Sequence, residues 1–343
     1  VEPLQRDEHG RTATGPHVNA PVPRPPPGEP NPVRTSFIPV SALRESMNVL
    51  VVGGDGFVGR NLCAELADRD HDVTALSRTP DGAALPDAVE SVTGDVTAYD
   101  SIEPAFEGQD AVVQLVALSP LFKAKGSGDP HDRVHRGGTE HCVRAAEAHG
   151  VDRFLQLSGI HADPDADTAY LRAKGRAEAV VRDSALDWTI VRPTIIFGDG
   201  DEFADFVTLL TTPVVTGLPG GGKVRYQPIY VGDAAPILAD AATMDEHVGE
   251  TYEVGGPEEL TLAEVTRLIY RSRGSKTRVL PIPTALAKVG LRALDPVPFF
   301  PLGADQATSM DVDLVVGHND VDAFGMDEAD MTTYAGYLGL DSP

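Results

Sequence analysis

The segment Val49-Leu50-Val51-Val52-Gly53-Gly54-Asp55-Gly56-Phe57-Val58-Gly59-Arg60 constrains this chain more than any other. An unbroken apolar run fits a strand buried on both faces, and it leads into glycines spaced three apart and then into helical periodicity over Gly59–Ala67. In such a turn the first glycine reverses the chain tightly. The second lets a ligand approach the backbone, and the third lets the helix lie close on the strand. The N–H groups that open the helix lack partners within it and face the turn, a setting that suits a pyrophosphate. A glycine triplet alone also describes a plain turn. The strand before it and the helix after it favour a phosphate cradle made of Gly53, Gly56, Phe57, Val58 and Gly59.

The rest of the chain repeats that alternation. Strands are expected at Met47–Val52, His71–Leu76, Val89–Thr93, Ala111–Val116, Arg153–Leu157 and Trp188–Arg192, with helices at Thr139–His149 and Ala169–Val181. This order implies an α/β fold, a Rossmann-type doubly wound parallel sheet with a smaller C-terminal substrate or cap region. After Phe197 the rhythm gives way to Gly/Pro-rich loops around Leu218–Gly222. Strand–helix pieces follow at Tyr226–Ala242 and Thr251–Arg271, and then an irregular acidic tail. Residues 1–46 carry ten of the 28 prolines and read as a disordered extension, upstream of the true start because the chain opens on Val, with a functional tail as the alternative. The expected divisions are 1–46, a nucleotide-binding domain at 47–198, and a cap at 199–343 interleaved with the last elements of the sheet.

Composition narrows the partners. With 52 Asp and Glu against 28 Lys and Arg the formal net charge is -24, and only six of the cations are lysines. Such a surface repels itself in dilute buffer and is relieved by salt, which suggests a cytoplasmic protein of an extreme halophile; a merely acidic enzyme is the plainer alternative. Nucleic acid is disfavoured as a partner. No apolar run reaches membrane-spanning length, and no secretory leader is evident, so neither membrane insertion nor export is expected. Cys63 and Cys142 have no partner at ligand spacing and read as core residues, and the His, Asp and Glu residues show no metal spacing.

Two further groups carry chemistry. The second strand ends Ala75-Leu76-Ser77-Arg78, with Ser77 where an acid would accept the ribose hydroxyls of NAD. Arg78 beside it suits a 2′-phosphate, so NADP(H) is favoured and NAD(H) stays open; a surface arginine stacked on adenine is the bland alternative. Tyr170 and Lys174 stand four apart on one helix face. A nearby ammonium is expected to lower the phenol from its free pKa of ~10, letting Tyr170 exchange a proton with a substrate oxygen. Ser158 is the candidate third polar group, with His161 as a substitute, and either one equally reads as structural.

These landmarks resemble those of the extended and atypical short-chain dehydrogenase/reductases in register from Met47 to about Gly256. The GxxGxxG spacing, Gly94-Asp95-Val96, Val116-Ala117, Arg192-Pro193-Thr194 with Phe197-Gly198, and Tyr170-x-x-x-Lys174 all match. The resemblance implies that Asp95 and Val96 meet adenine and that Val116 and Ala117 wall the cofactor. It places Pro193 and Thr194 beside the nicotinamide carboxamide, and it has Lys174 also hold the ribose. His135 stands where the family usually has Asn, and Ile160 where the family's Ser or Thr falls. Ser158–His161, Tyr170–Arg182 and Pro301–Asp313 resemble the branch of complex I nucleotide-binding accessory subunits. That branch implies a non-catalytic subunit or assembly factor of a respiratory complex, peripheral at the inner face of the membrane, as the alternative to an oxidoreductase. The family's habit of pairing through helices near Thr139–His149 and Ala169–Val181 implies a homodimer as one arrangement.

Overall fold

The computed structural model describes residues 46–80, 85–124, 128–294, 302, 304–309 and 311–340. The expected extension at residues 1–45 lies outside them, as does the apolar stretch Val297-Pro298-Phe299-Phe300-Pro301, whose sequence alone suits a pocket lining, a docking element or a plain loop. From Ser46 onward the chain forms one contact-dense unit. In chain order its first half runs β1 (Asn48–Val52), α1 (Phe57–Asp68), β2 (Asp72–Ser77), β3 (Glu90–Thr93), α2 (Tyr99–Ile102) and β4 (Ala111–Gln114). A π-helical turn (Asp132–Gly137) leads directly into α3 (Gly138–His149). β5 (Arg153–Leu157), α4 (Ala169–Arg182) and β6 (Asp187–Pro193) complete it.

With β11 (Thr251–Val254) these strands make a seven-stranded sheet in the order β11-β6-β5-β4-β1-β2-β3, parallel throughout. Strand order reverses at the β1/β4 boundary, and a crevice opens there at the carboxyl ends of the strands. Successive side chains of each strand feed opposite layers. Val49, Val51 and Val113 pack with Leu62 and Leu66 of α1 and Ile237 and Leu238 of α6 (Val231–Thr243). Leu50, Val52 and Val112 pack with Cys142 and Val143 of α3 and Val181 of α4.

β4 stops two residues short of the expected Val116. The buried Gln114 side chain accepts a hydrogen bond from the Val116 N–H (2.9 Å), which turns the chain out of the ladder. The acidic tail is also more regular than its sequence suggests. Beyond β7 (Ile196–Phe197) a cover is built from α5 (Phe203–Leu210), β8 (Val214–Pro219) and β9 (Arg225–Tyr226). β10 (Ile229–Tyr230) precedes α6, and β12 (Leu260–Thr261), α7 (Leu262–Ser272), β13 (Thr277–Ile282), α8 (Thr284–Leu294), α9 (Ala304–Ser309) and α10 (Tyr334–Tyr337) follow β11. The cover has its own core of Phe197, Phe203, Leu218, Val265, Ile269 and Tyr334. β8 and β13 pair in parallel over six residues. Among the described residues no helix is long and apolar enough to cross a membrane.

Candidate active site

The cradle is built as the glycine spacing requires. Gly53 adopts φ +93°, and its N–H donates to the Leu76 carbonyl at 2.7 Å, tying the turn to the end of β2. A methyl group on Gly59 would stand 2.2 Å from the Gly53 carbonyl oxygen, so helix and turn can meet only at glycine. Gly56 precedes the first turn of α1 with extended backbone, and the free N–H groups of that turn face the crevice.

One cleft of about 1690 Å³ is lined by Gly53, Gly56, Phe57, Val58, Gly59, Ser77, Arg78, Asp95, Val96, Val116, Ala117, Ser158, Tyr170, Lys174, Pro193 and Thr194. At the end of the cleft beside β2 Arg78 is exposed, and Ser77 Oγ donates to Asp55 Oδ2 at 2.7 Å. A carboxylate therefore does reach the end of β2, delivered by the glycine turn rather than by the strand. Sequence reasoning missed this, because Asp55 and Ser77 meet only in three dimensions. It missed Arg133 as well, which lines the same end. The Asp95 carboxylate accepts from Thr97 N (2.9 Å) and Thr97 Oγ1 (2.8 Å). Burial pushes its pKa up, but these bonds together with Arg78 and Arg133 outweigh burial and hold it below the usual carboxylate range.

At the other end α4 brings Tyr170 and Lys174 beneath the loop that follows β5. Thr168 caps the helix by accepting from Leu171 N (3.3 Å). Gly175 lets α4 press against the 159–164 loop, since a methyl there would stand 2.2 Å from the Asp163 carbonyl carbon. Glu178, itself buried, takes Arg192 of β6 in a two-pronged pair at 2.8 and 2.6 Å. The Lys174 ammonium donates to the Leu157 carbonyl at 2.7 Å.

The expected lowering of the tyrosine is not what this arrangement produces. Burial pushes the Tyr170 phenol up to about 12 and brings Lys174 down to about 8, the latter against the opposing pull of Glu178. Withdrawal from water costs the phenolate more than any neighbour returns. Tyr170 is thus a protonated donor across the neutral range.

Ser158 is buried, and its Oγ has no hydrogen-bond partner. It does not cap the strand end; its hydroxyl is free for a molecule in the cleft. His161 has φ +62° and bonds the Asp313 carbonyl through Nε2 at 2.9 Å, so it is held by the loop. Thr194 likewise spends its hydroxyl on the Gln227 carbonyl (2.5 Å), leaving its backbone and methyl as cleft wall. His135 Nε2 accepts from the Leu118 N–H (3.3 Å), pinning the segment after β4. Its ring stacks on that of His131, with centroids 5.5 Å apart, and both stand edge-on to Tyr170 at 5.3 and 5.8 Å. Burial, Lys174 and His131 together keep His135 neutral well below the usual histidine range. The π-helical turn sets the two imidazoles four residues apart over the phenol.

An open glycine turn facing a helix N-terminus, an orphaned hydroxyl at one end, and the cations Arg78 and Arg133 near Asp95 at the other fit a nicotinamide dinucleotide. The comparisons agree. A family model described as NAD(P)H-binding matches residues 53–215. The (4-alkanoyl-5-oxo-2,5-dihydrofuran-3-yl)methyl phosphate reductase of Streptomyces griseus is 31% identical over 252 residues, covering 73% of this chain and 82% of that protein. The mitochondrial NADH-ubiquinone oxidoreductase 40 kDa subunit of Neurospora crassa is 29% identical over 198 residues, 57% of this chain. The match spans about half (50%) of that subunit's length. A nucleoside-diphosphate-sugar epimerase from Staphylococcus aureus shares the fold, with a TM-score of 0.64 at 17% identity over 85% of this chain and 99% of its own. The chain belongs to the NAD(P)-binding short-chain dehydrogenase/reductase family. Within that family its relatives include mitochondrial NADH-ubiquinone oxidoreductase subunits as well as reductases.

Proposed function

We propose that this protein is an NADP(H)-dependent oxidoreductase that reduces a small, largely apolar carbonyl compound. The observation that carries the reading is the convergence of Tyr170, Lys174 and the unpartnered Ser158 hydroxyl on one end of the nucleotide cleft. The dinucleotide, when bound, supplies the hydride. Gly53, Gly56, Gly59 and the first turn of α1 hold its pyrophosphate, Arg78 and Arg133 its 2′-phosphate, and Lys174 its nicotinamide ribose. Ser158 Oγ donates to the substrate oxygen and fixes its direction. Tyr170, protonated at neutral pH, passes its proton to that oxygen as negative charge grows there, and the Lys174 ammonium stabilises the phenolate left behind. A phenol held up near 12 favours the proton-donating, reductive direction. Phe203, Phe206, Leu218, Tyr226 and Leu302 line the adjoining chamber and favour an apolar substrate body.

Two observations support second readings. Asp55 beside Ser77 suits unphosphorylated ribose hydroxyls and so NAD(H). Ile160, buried where the family keeps a hydroxyl, together with the similarity to the Neurospora subunit, suits a nucleotide-holding role without turnover.

The deciding experiment measures NADPH and NADH affinity and exchange in molar KCl, then screens ketones with wild type and Tyr170→Phe. The oxidoreductase reading expects rapid NADPH exchange and a preference that Arg78→Ala cuts by at least about tenfold. It expects Tyr170→Phe to lose on the order of a hundredfold or more in kcat with nucleotide affinity unchanged. NADPH that co-purifies and does not exchange, with no turnover, supports the holding role. Failure to bind either nucleotide defeats both.

A further inference from the structure

Charge and apolar exposure are both unevenly distributed, and they coincide. Residues 265–294 contain Arg267, Arg271, Arg273, Lys276, Arg278, Lys288 and Arg292 and not one Asp or Glu, although the chain as a whole carries 52 acids. The exposed large apolar side chains among the described residues all fall between Leu209 and Val312; none belongs to the part of the chain before the cover.

The structure brings the two features together. β8 and β13 pair with Val215 beside Arg278 and Gly217 beside Leu280; Val215, Arg278 and Leu280 stand exposed on one face of the pair, and Gly217 and Ile282 carry that face to the mouth of the cleft. Leu280 and Val215 are 43% and 46% exposed. α8 follows directly after Pro283. It shows solvent Leu286 and Val289, each 64% exposed, while Ala287, turned away from that pair, lines the cleft. Lys276 and Arg278 stand exposed beside the strand pair. Lys288 is paired with Asp311 at 2.5 Å, so its charge is offset.

We propose that α8 and the outer face of β8–β13 form a docking surface for a bilayer containing anionic lipids. On a molecule of net charge -24 an anionic surface is repelled almost everywhere, and the acid-free stretch is where that repulsion reverses. Aliphatic side chains exposed on a short helix, with the cations Lys276 and Arg278 beside the neighbouring strand pair, suit the headgroup boundary. Protein interfaces anchor instead on Trp and Tyr, and neither is among the exposed large apolar residues of this face. The inference goes beyond the oxidoreductase reading and does not depend on it.

The test is flotation of the full chain with vesicles of phosphatidylcholine alone, or with about three parts in ten phosphatidylglycerol, at about 0.15 M and roughly 2 M KCl. Recovery on the anionic vesicles should exceed that on neutral ones by about tenfold at the lower salt and weaken at the higher. The double variant L286D/V289D should lose recovery, and K276E/R278E should reduce it to the neutral-vesicle level. Both variants alter exposed residues, and wild-type melting together with wild-type NADPH affinity, or its wild-type absence, verifies their fold. No recovery at lower salt, equal recovery on the two compositions, or recovery unchanged in L286D/V289D overturns the proposal. So does preferential capture of an acidic polypeptide such as polyglutamate over the vesicles.

Discussion

Lys174 illustrates how one buried residue couples site chemistry to stability. Burial lowers its folded pKa to about 8 from 10.5, so the folded protein releases this proton first as pH rises. Between those values the unfolded chain holds more protons, and Lys174 contributes a rise in stability with pH of on the order of 1 kcal/mol per unit. Below pH 8 the penalty of keeping the ammonium buried is fully present. Urea unfolding of wild type and Lys174→Met from pH 7 to 10 should show the wild type gaining on the variant across this window. Parallel curves would mean that Lys174 keeps an ordinary pKa. Cys63, whose thiol burial pushes up to about 12, opposes the gain above its free value of 9.0, but equally in both proteins. At this scale the sequence was legible where spacing carries the meaning. The glycine triplet, Tyr170 and Lys174, and Arg78 could be read because motif neighbours are chain neighbours. Asp55 against Ser77, Arg133 at the end of the cleft beside β2, and His131 on His135 were not legible, because the contacts depend on a turn's direction or on a π-helical register. The direction of the Tyr170 shift was misread for a related reason: spacing shows which groups are close and says nothing of how much water they have lost.

The helix α4, which carries Tyr170 and Lys174, owes its place to packing between elements. The Glu178–Arg192 pair bolts α4 to β6, with Glu178 wholly buried and Arg192 also reaching the Ala162 carbonyl at 3.2 Å. Removing one partner leaves the other charged and under-bonded in a dry setting. Glu178→Ala should therefore lower unfolding free energy by about 3 kcal/mol, while Glu178→Gln, which keeps one acceptor, should cost less. Denaturant midpoints at pH 7 measure both; a Glu178→Ala midpoint equal to wild type would show that the bolt contributes nothing. Long periodic elements such as β5 and α4 were readable within a residue because burial on known faces imposes the period. β13 and α8 escaped notice. β13 carries Pro281 and pairs with residues 63 positions earlier, and α8 begins directly after a second proline with cations spread along it.

Across the whole molecule the excess of carboxylates governs behaviour in solution. Self-repulsion at a net charge of -24 destabilises the compact state, and added salt screens it within a Debye length of about 10 Å at 0.1 M and ~3 Å at 1 M. Melting temperature should climb by several degrees between about 0.1 and 2 M KCl. Scanning fluorimetry with an uncharged osmolyte as control checks this, and an equal rise in sucrose would remove the electrostatic account. The overall architecture was legible because alternating strands and helices have few ways to close a parallel sheet. The shape of the cover was not, since its strands find partners across long sequence gaps. That cover leaves the sheet twice, once before α6 and once after β11, and the β8–β13 ladder stitches the two excursions together. As a unit of inheritance it is therefore no cassette. A recombination that swaps one excursion leaves a strand without its partner, and one that swaps both carries along α6 and the edge strand of the nucleotide-binding sheet. A new shape for the cleft must then arise by substitution within it, or arrive with part of the NAD(P)-binding layer attached.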